Sequence, residues 1–484
     1  MNTVLLISPH RWNPKCTPHG LEHLAHHLHG AGFDPLILDI NILKNQSKEI
    51  SDVIIQKEPI LICITIRNFD SAFLAQPMVF FPKAIKKIIN SIRKITDSPI
   101  VIGGVSYSAA PIPFFKYFNA DYGIVGSDER SMVTLAETIK KGDDKRLISG
   151  LVWKNNSKAV RNKVVLSSDP LPPIKRNFAD QLKTYSGGIE NHYSWASVET
   201  KRGCSKNCIY CIEPMSKGCT IRYKKPEAVI AELIQLKTLG INWFWFTDSE
   251  FNLNLDKAKE LCEALIKRYN GSINWGSYAL PKPFDKELAN LMEKSGCKVL
   301  GIDAGHGSNE MLKNYQKDFL YEDIVQCFDL FKNRSVKLKL SALVGGPGES
   351  EATIKNGLKN LAALGSIVEL GVGLRVYPST PIINIINKMD ENQKRKSLFG
   401  RIKNNGDFLE PVFYFAPEIA LNYKAILEKV TREYGSFMLP PLYQVNEEEI
   451  NGWRGFQPGY SSARSNDLLL RKNGSEEKTD ASYF

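Results

Sequence analysis

Short apolar runs alternate with helix-length amphipathic segments at the start of the chain. The runs TVLLIS, DPLILDI, PILICITIR, SPIVIGGVS and ADYGIVG have the length and composition of buried β-strands. Between the first two, Leu21, Leu24, Ala25 and Leu28 recur at helical spacing and a glycine follows. Because such alternation is typical of parallel sheets covered by helices, we predict an α/β fold class. Residues 1–150 would form a doubly wound, Rossmann-like domain that binds its ligand at the carboxyl ends of the strands.

The pattern changes after this first segment and then resumes. GLVWKNNSKAVRNKV predicts a short strand pair, and the Pro-rich SSDPLPPIKRNF completes a linker over residues 151–185. Six more strand-like runs, WASVET, NWFWFTDSE, INWGSYA, CKVLGIDAG, KLKLSALVGG and VELGVGLRVYP, alternate with helices and predict a partial (β/α)6 TIM-like barrel over 186–395. A small α-rich capping region would follow over 396–460, and the polar residues 461–484 predict a disordered tail.

Composition and charge narrow the class of protein. The 484 residues are 43% hydrophobic, enough for more than one core. The apolar amino-terminal run is too short to span a bilayer and no basic region precedes it, so we expect a cytoplasmic protein with no membrane partner. Nine cysteines, an odd number, suggest a reducing compartment. The net charge of +11 is spread along the chain, and we do not expect a nucleic-acid partner.

Three cysteines lie together in the loop ETKRGCSKNCIYCIEP. A structural zinc site usually has four ligands, and no second CxxC pair accompanies Cys204, Cys208 and Cys211. Four irons held by three thiolates would keep one iron open for a substrate or cosubstrate. The cationic neighbours Lys201 and Arg202 would favour thiolates. The loop follows the first predicted barrel strand, where barrel active sites are built.

The CxxxCxxC spacing, with Tyr210 before its last cysteine, resembles the radical S-adenosylmethionine (SAM) superfamily. The segments FTDSEFN, GIDAGHGSNEML, GGPGESEATI and RVYPSTP resemble the elongator-like barrel of that superfamily in order and spacing. The earlier segments CITIRNFDS, IGGVSYSAAP and ADYGIVGSDERSMVTLAE are similar to the cobalamin-binding domain of its cobalamin-dependent branch. The resemblance covers roughly residues 1–390. It implies three cofactors: a 4Fe-4S cluster, SAM and cobalamin.

The resemblance also assigns residues to the cluster and to SAM. Cys204, Cys208 and Cys211 would hold the cluster. Glu250 would contact the ammonium group of SAM, as charge pairing requires. The remaining SAM contacts would be Tyr210, Asp303, Ser341 and Arg375, with Gly345, Gly346 and Gly348 shaping the turn around the ligand. A buried structural salt bridge is the alternative for Arg375.

A third set of residues is assigned to cobalamin by the same resemblance. These residues end the predicted strands of the first domain: Arg67, Asn68, Gly103, Gly104, Ser106 and Gly126. The chain has no DxHxxG motif, and His10 and His19 lack its context. We therefore expect base-off cobalamin with no histidine bound to cobalt. His23 and His27 have the spacing of a helix pair and are interpreted as part of a solvated helix face.

The activity implied by the resemblance is that of an enzyme, a C-methyltransferase. It would use methylcobalamin and a 5'-deoxyadenosyl radical to methylate an unactivated carbon, or phosphorus, of a small molecule or peptide, with flavodoxin or ferredoxin as electron donor. Polar methyl transfer and radical rearrangement or oxidation without methylation stay open on the same scaffold. A tRNA methylthiotransferase-like enzyme is disfavoured because only Cys16 and Cys63 precede the motif. A non-catalytic cobalamin sensor is disfavoured because no output module is recognisable.

Overall fold

The computed structural model describes most of the chain. The described residues are 2–9, 17–70, 72, 74, 79–176, 195–401, 405–420 and 422–439. The predicted tail, residues 177–185 of the predicted linker and residues 440–460 of the predicted capping region lie outside them. No helix among the described residues is long and apolar enough to cross a membrane.

The amino-terminal part is built on one sheet. Its strands are β1 (Thr3–Ser8), β2 (Asp34–Asp39), β3 (Leu61–Thr65), β4 (Ile100–Gly103), β5 (Tyr122–Ile124), β6 (Leu151–Asn155) and β7 (Lys158–Arg161). Within the described residues their order is β2–β1–β3–β4–β5–β6–β7. Strands β1 to β5 are parallel, and β6 and β7 join antiparallel. The predicted strand pair thus extends the first sheet, while the division of the chain into domains stays a prediction.

Helices cover both faces of this sheet. They are α1 (His19–Gly30), α2 (Gln46–Lys57), α3 (Pro82–Ile92), α4 (Val105–Ala109), α5 (Pro111–Phe118) and α6 (Glu129–Lys141), followed by a 3-10 turn over Lys145–Leu147. Successive strand residues point to opposite faces, so Leu5 and Ile7 enter one apolar core while Val4 and Leu6 enter the other. Burial on both faces explains why β1 is an unbroken apolar run.

A second parallel sheet carries the cysteine loop. Its strands are β8 (Trp195–Val198), β11 (Trp243–Phe246), β12 (Asn274–Ala279), β13 (Cys297–Gly305), β14 (Lys337–Val344), β15 (Val368–Val372) and β19 (Phe437–Met438). A separate two-stranded ribbon pairs β9 (Lys201–Arg202) with β10 (Arg222–Tyr223). The six predicted barrel strands are all present in chain order, and β19 adds an edge strand that the sequence did not reveal.

The helices of the barrel pack outside it. They are α7 (Glu213–Lys217), α8 (Pro226–Thr238), α9 (Leu255–Tyr269), α10 (Lys286–Lys294), α11 (Asn309–Asn314), α12 (Tyr321–Phe331) and α13 (Glu351–Ala362). Phe244, Phe246 and Trp275 are buried in the core shared with these helices. Trp245 and Tyr278, which alternate with them, therefore face the barrel interior.

The end of the described chain mixes helices with strands. It contains α14 (Ile382–Ile386), α15 (Glu391–Ser397) and α16 (Tyr423–Tyr434), and a small antiparallel sheet of β16 (Leu374–Arg375), β18 (Val412–Tyr414) and β17 (Leu398–Gly400). Leu374, Val412 and Tyr414 are buried in one apolar cluster. The predicted α-rich region therefore contains strands as well as helices, because its run of aromatic residues is buried inside the protein.

Candidate functional site

The three motif cysteines lie in the loop that follows β9 at the barrel mouth. Cys204 is buried, whereas Cys208 and Cys211 are partly exposed. The amide of Cys204 donates to Gly218 O at 3.0 Å, and the amide of Cys211 donates to Cys208 O at 3.2 Å. The backbone therefore fixes the loop, and three thiols on one short segment fit the donor set of an iron–sulfur cluster. Within the described ranges, no group of three or more His, Cys, Asp or Glu side chains is arranged to hold a metal ion.

Burial raises the pKa of these thiols. The pKa of Cys204 rises to about 11, and those of Cys208 and Cys211 are also raised, with burial as the first cause. The expectation that neighbouring cations favour thiolates is wrong, because these cations are neutralised by other residues. Lys201 pairs with Asp248, and Arg202 pairs with two glutamates. A bound cationic centre would be needed to stabilise the thiolates.

Glu250 lies just beyond β11 and faces the cysteine loop. Its Oε2 atom is buried and has no hydrogen-bond partner among the described residues. Burial, and next the charge of Asp303, raise the pKa of this carboxyl well above its usual value. A buried carboxyl with an orphaned oxygen fits a cationic ligand such as the ammonium group of SAM.

The other predicted SAM residues on the barrel strands lie close to the cluster loop. Asp303 on β13 is directly opposite Ser341 on β14. Asp303 also pairs with Lys317, whose Nζ lies 5.4 Å from the centre of the Tyr210 ring. The charge of Lys317 also acts on Cys208, where it opposes the rise in pKa that burial causes. The sequence analysis missed Lys317, since a single lysine after a short helix forms no recognisable pattern.

Arg375 is engaged by protein acceptors. Its Nε donates to Asp70 Oδ2 at 2.6 Å, and its other nitrogens donate to the carbonyl groups of Val376, Phe408 and Leu409. Both members of the ion pair are nearly fully buried. These contacts do not support the predicted role of Arg375 at the SAM carboxylate. They favour the structural salt bridge, which joins the barrel to the segment after β3.

The glycine turn after β14 is held by a buried carboxylate. Glu349 accepts hydrogen bonds from the amides of Gly345 and Gly346, and His306 Nε2 lies 2.8 Å from its other oxygen. A Cβ atom on Gly346 would lie 2.0 Å from the Tyr315 ring. The turn is therefore shaped by close packing as well as by the glutamate.

A cavity of about 490 Å³ lies where the strand ends of the first sheet meet the barrel mouth. Its walls include every predicted cobalamin residue: Arg67, Asn68, Gly103, Gly104, Ser106 and Gly126. The barrel side contributes Glu199, Arg202, Glu213 and Thr247. The two sets of strand-end loops therefore share one cavity.

Glycine and backbone shape the first-sheet wall of this cavity. Gly104 has φ +109°, and a Cβ atom there would lie 2.7 Å from Ile66 O. Ser106 Oγ donates to Arg67 O at 2.8 Å, so this serine holds the end of β3 in place. A wall of glycine and main chain fits close approach of a large ligand.

Two histidines on α1 line the same cavity. His23 is only 2% exposed, so the interpretation of His23 as part of a solvated helix face is wrong. Its Nε2 lies 3.2 Å from His19 Nε2 and 3.6 Å from Glu199 Oε2. Burial, and next the charge of His19, lower the pKa of His23 well below its usual value. His10 lies outside the described residues.

Comparison with known proteins first defines the class. The model of the radical SAM superfamily matches residues 198–361, which form a radical SAM domain. The family match is to this domain, which is about a third of the chain.

Individual relatives extend the comparison to the whole chain. A tryptophan 2-C-methyltransferase of Streptomyces laurentii is 27% identical over 443 residues, which cover 78% of this chain and 73% of the relative. The structure of the radical SAM methyltransferase TsrM from Kitasatospora setae with cobalamin and a [4Fe-4S] cluster bound has a TM-score of 0.82 at 24% identity, covering 97% of this chain and 99% of that chain.

A more distant structure gives the same arrangement. The cobalamin-dependent SAM radical enzyme OxsB, with aqua-cobalamin and SAM bound, has a TM-score of 0.70 at 16% identity and covers 88% of this chain and 67% of that chain. The predicted resemblance is confirmed at the level of fold: the chain has the two-part fold of cobalamin-dependent radical SAM enzymes.

Proposed function

We propose that the protein is a cobalamin-dependent radical SAM methyltransferase that methylates a carbon atom of a small molecule. The observation that carries this proposal is the shared cavity, which is lined by the strand-end residues of both sheets. A methyl group held above the first sheet would there face a substrate at the barrel mouth. The relative named tryptophan 2-C-methyltransferase makes tryptophan the first substrate to test.

The proposed cofactors have distinct roles. When bound, the cluster supplies electrons, SAM supplies the methyl group and cobalamin carries it. Cys204, Cys208 and Cys211 would hold the cluster. Glu250 would bind the ammonium group of SAM, which would supply the positive charge that its buried carboxyl lacks. The pair of Lys317 and Asp303 would fix the loop beside them.

Cobalamin is proposed to lie along the glycine-lined wall, where Arg67 and Asn68 would contact it. We propose that no histidine binds cobalt. The His19 ring lies 3.2 Å from His23 and 3.3 Å from Glu22. These contacts would have to break before either ring could serve as a ligand.

Aromatic side chains occupy the barrel interior. Trp245 and Tyr278 lie edge to face with ring centres 5.2 Å apart. A Cβ atom on Gly301 would be 2.8 Å from the Tyr278 ring, so glycine is required for that ring to lie against the strand. The buried Lys339 pairs with Glu369 at 3.2 Å in the same interior.

The reaction is proposed to take place in the cytoplasm. All eight cysteines of the described residues are free thiols, which supports a reducing compartment. An acidic protein such as flavodoxin or ferredoxin is proposed as the electron donor.

The test is anaerobic turnover of reconstituted protein with cobalamin, SAM, a reductant and tryptophan. We expect methylated tryptophan and one S-adenosylhomocysteine for each methyl group transferred. Formation of 5'-deoxyadenosine as well would favour the radical route over polar methyl transfer. If tryptophan and a panel of indole-containing molecules and peptides yield no S-adenosylhomocysteine, the proposal is wrong.

A further inference from the structure

A short segment that begins at the end of helix α11, Asn314–Asp318, runs beside the cysteine loop. Two side-chain contacts join it to the start of the loop. Lys206 pairs with Asp318, and Asn207 Nδ2 donates to Gln316 Oε1 at 2.9 Å. Gln316 has φ +58°, so the backbone turns at that residue. We call Asn314–Asp318 the support segment.

Tyr315 joins the support segment to the far half of the loop and to the glycine turn. Its carbonyl oxygen accepts from the amide of Ile209 at 3.3 Å, and its ring lies edge to face with the Tyr210 ring, with 5.8 Å between the ring centres. The Tyr315 hydroxyl donates to Leu343 O at 3.2 Å. The whole residue is buried. The support segment is therefore fixed against the loop on both sides of Cys208.

Lys317 belongs to this segment, and its side chain is 2% exposed. The ammonium group pairs with Asp303 and lies 5.4 Å from the centre of the Tyr210 ring. A Cβ atom on Gly305 would lie 2.9 Å from Lys317 Cε, so the glycine at the end of β13 leaves room for the lysine side chain. The ammonium group is thus buried against the residue that precedes the last motif cysteine.

The charge of Lys317 acts on the cluster ligands. Burial alone would lower the pKa of Lys317, but the carboxylate of Asp303 raises it well above its usual value, so the side chain is a cation at neutral pH. The charge of Lys317 acts on Cys208 more strongly than the charge of Asp303 does. The cationic end of the pair therefore dominates at this cysteine.

We propose that Lys317 sets the reduction potential of the iron–sulfur cluster, because the support segment holds its ammonium group beside Cys208. Reduction adds one electron to the cluster and makes it more negative by one charge. A fixed cation nearby stabilises the reduced form more than the oxidised form, so Lys317 raises the potential. Lys317 acts through the cluster and is a positioning residue. The inference rests on the cluster of the proposed function, but not on methyl transfer.

The experiment is a redox titration of the full chain with its cluster reconstituted and without SAM. Titanium(III) citrate is the reductant, and electron paramagnetic resonance measures the reduced cluster. Lys317→Met keeps the length of the side chain but removes its charge. We expect the equilibrium constant for reduction to fall about tenfold, which is a shift of about 59 mV to more negative potential for one electron. Lys317→Arg keeps the charge and should keep most of the wild-type potential.

Two further variants separate the local charge from other causes. Lys313→Met is the matched control, because Lys313 is an exposed lysine on α11 and its loss should leave the potential unchanged. Asp303→Asn removes the anion of the pair and should raise the potential, opposite to the shift in Lys317→Met. A rearranged loop would not reverse the sign between these two variants. Iron content and thermal unfolding show that each variant is loaded and folded, and Asp303→Asn tests the sign even if Lys317→Met holds no cluster.

Three outcomes would overturn the inference. One is an equal potential in wild type and Lys317→Met. Another is a shift in Lys313→Met as large as that in Lys317→Met, which would assign the effect to net charge. The third is an unchanged or more negative potential in Asp303→Asn. Each of these leaves the cluster and the proposed function intact, whereas a wild-type protein that holds no cluster would contradict both.

Discussion

The barrel mouth and the wall of the first sheet face one cavity but are prepared for ligands in different ways. At the barrel mouth, partial or complete burial disfavours the charged forms of Glu250 and the three motif thiols. On the first-sheet wall, Gly104 and the main chain of Ile66 approach closely and leave space. A cationic ligand would therefore stabilise the groups at the barrel mouth through its charge. The first-sheet wall would instead bind a ligand whose shape fits the space beside it. Substitutions that change either a charged group at the barrel mouth or the shape of the first-sheet wall therefore test this comparison.

The largest effect is expected from removing a cluster thiol. Cys208→Ala should abolish both iron binding and turnover, because three thiolates are the minimum donor set of the motif. Iron binding is measured by iron and sulfide analysis of anaerobically reconstituted protein, and turnover is measured by product formation. Cys219→Ala is the matched control, since Cys219 is an exposed cysteine outside the motif and should be replaceable. Retention of full activity in Cys208→Ala would refute the cluster assignment.

The next effect concerns the ion pair that joins the two regions. Arg375→Gln leaves Asp70 buried without its partner, and should lower the free energy of unfolding by about 3–5 kcal/mol. Chemical denaturation measures this loss, and the double variant with Asp70→Asn should lose less than the sum of the single variants. A large loss of SAM affinity without loss of stability would instead restore the predicted contact of Arg375 with SAM.

A smaller effect should come from neutralising Glu250. In cluster-loaded protein, Glu250→Gln should weaken SAM binding by about 1.5–3 kcal/mol, the usual contribution of a hydrogen bond to a charged group. Equilibrium dialysis with SAM measures it. Asp256→Asn, on the exposed first turn of α9, is a control that removes the same charge elsewhere. Equal SAM affinity in wild type and Glu250→Gln would remove Glu250 from the SAM site.

The same variant should have the opposite effect on stability without cofactors. Because burial raises the pKa of Glu250, the ionised carboxyl destabilises the folded protein once the pH exceeds its ordinary value of 4.5. Glu250→Gln should therefore be more stable than wild type at neutral pH, and the difference should vanish as the pH falls below 4.5. Denaturation of the cofactor-free proteins over this range measures it. A difference in the free energy of unfolding that grows as the pH falls would contradict this prediction.

The smallest effect is expected on the first-sheet wall. Gly104→Ala forces a side chain into a left-handed conformation, at a cost of about 1–2 kcal/mol, and places its Cβ 2.7 Å from Ile66 O. Both the stability of the variant and its affinity for cobalamin, measured by absorbance titration, should fall. Gly103→Ala is the control, since its Cβ would meet only Ile124 O at 3.6 Å. Equal affinity in both variants would show that the wall tolerates a side chain.

The sequence alone determined the two parallel α/β layers and the cysteine loop. Val4 to Ile7 of TVLLIS are consecutive apolar residues because both faces of the first sheet are covered, and this local pattern is visible without a structure. The cysteine spacing is equally local. The short edge strand β19 was not foreseen, because two residues at a sheet edge leave no periodic signal.

Only the tertiary structure decided which charged side chains find partners. Arg375 and Asp70 are separated by 305 positions in the sequence and meet at 2.6 Å. His23 is buried because Glu199 and Arg202 of the barrel lie against it. Hydrophobic periodicity is a property of neighbours along the chain, whereas charge pairing depends on distances that folding alone creates.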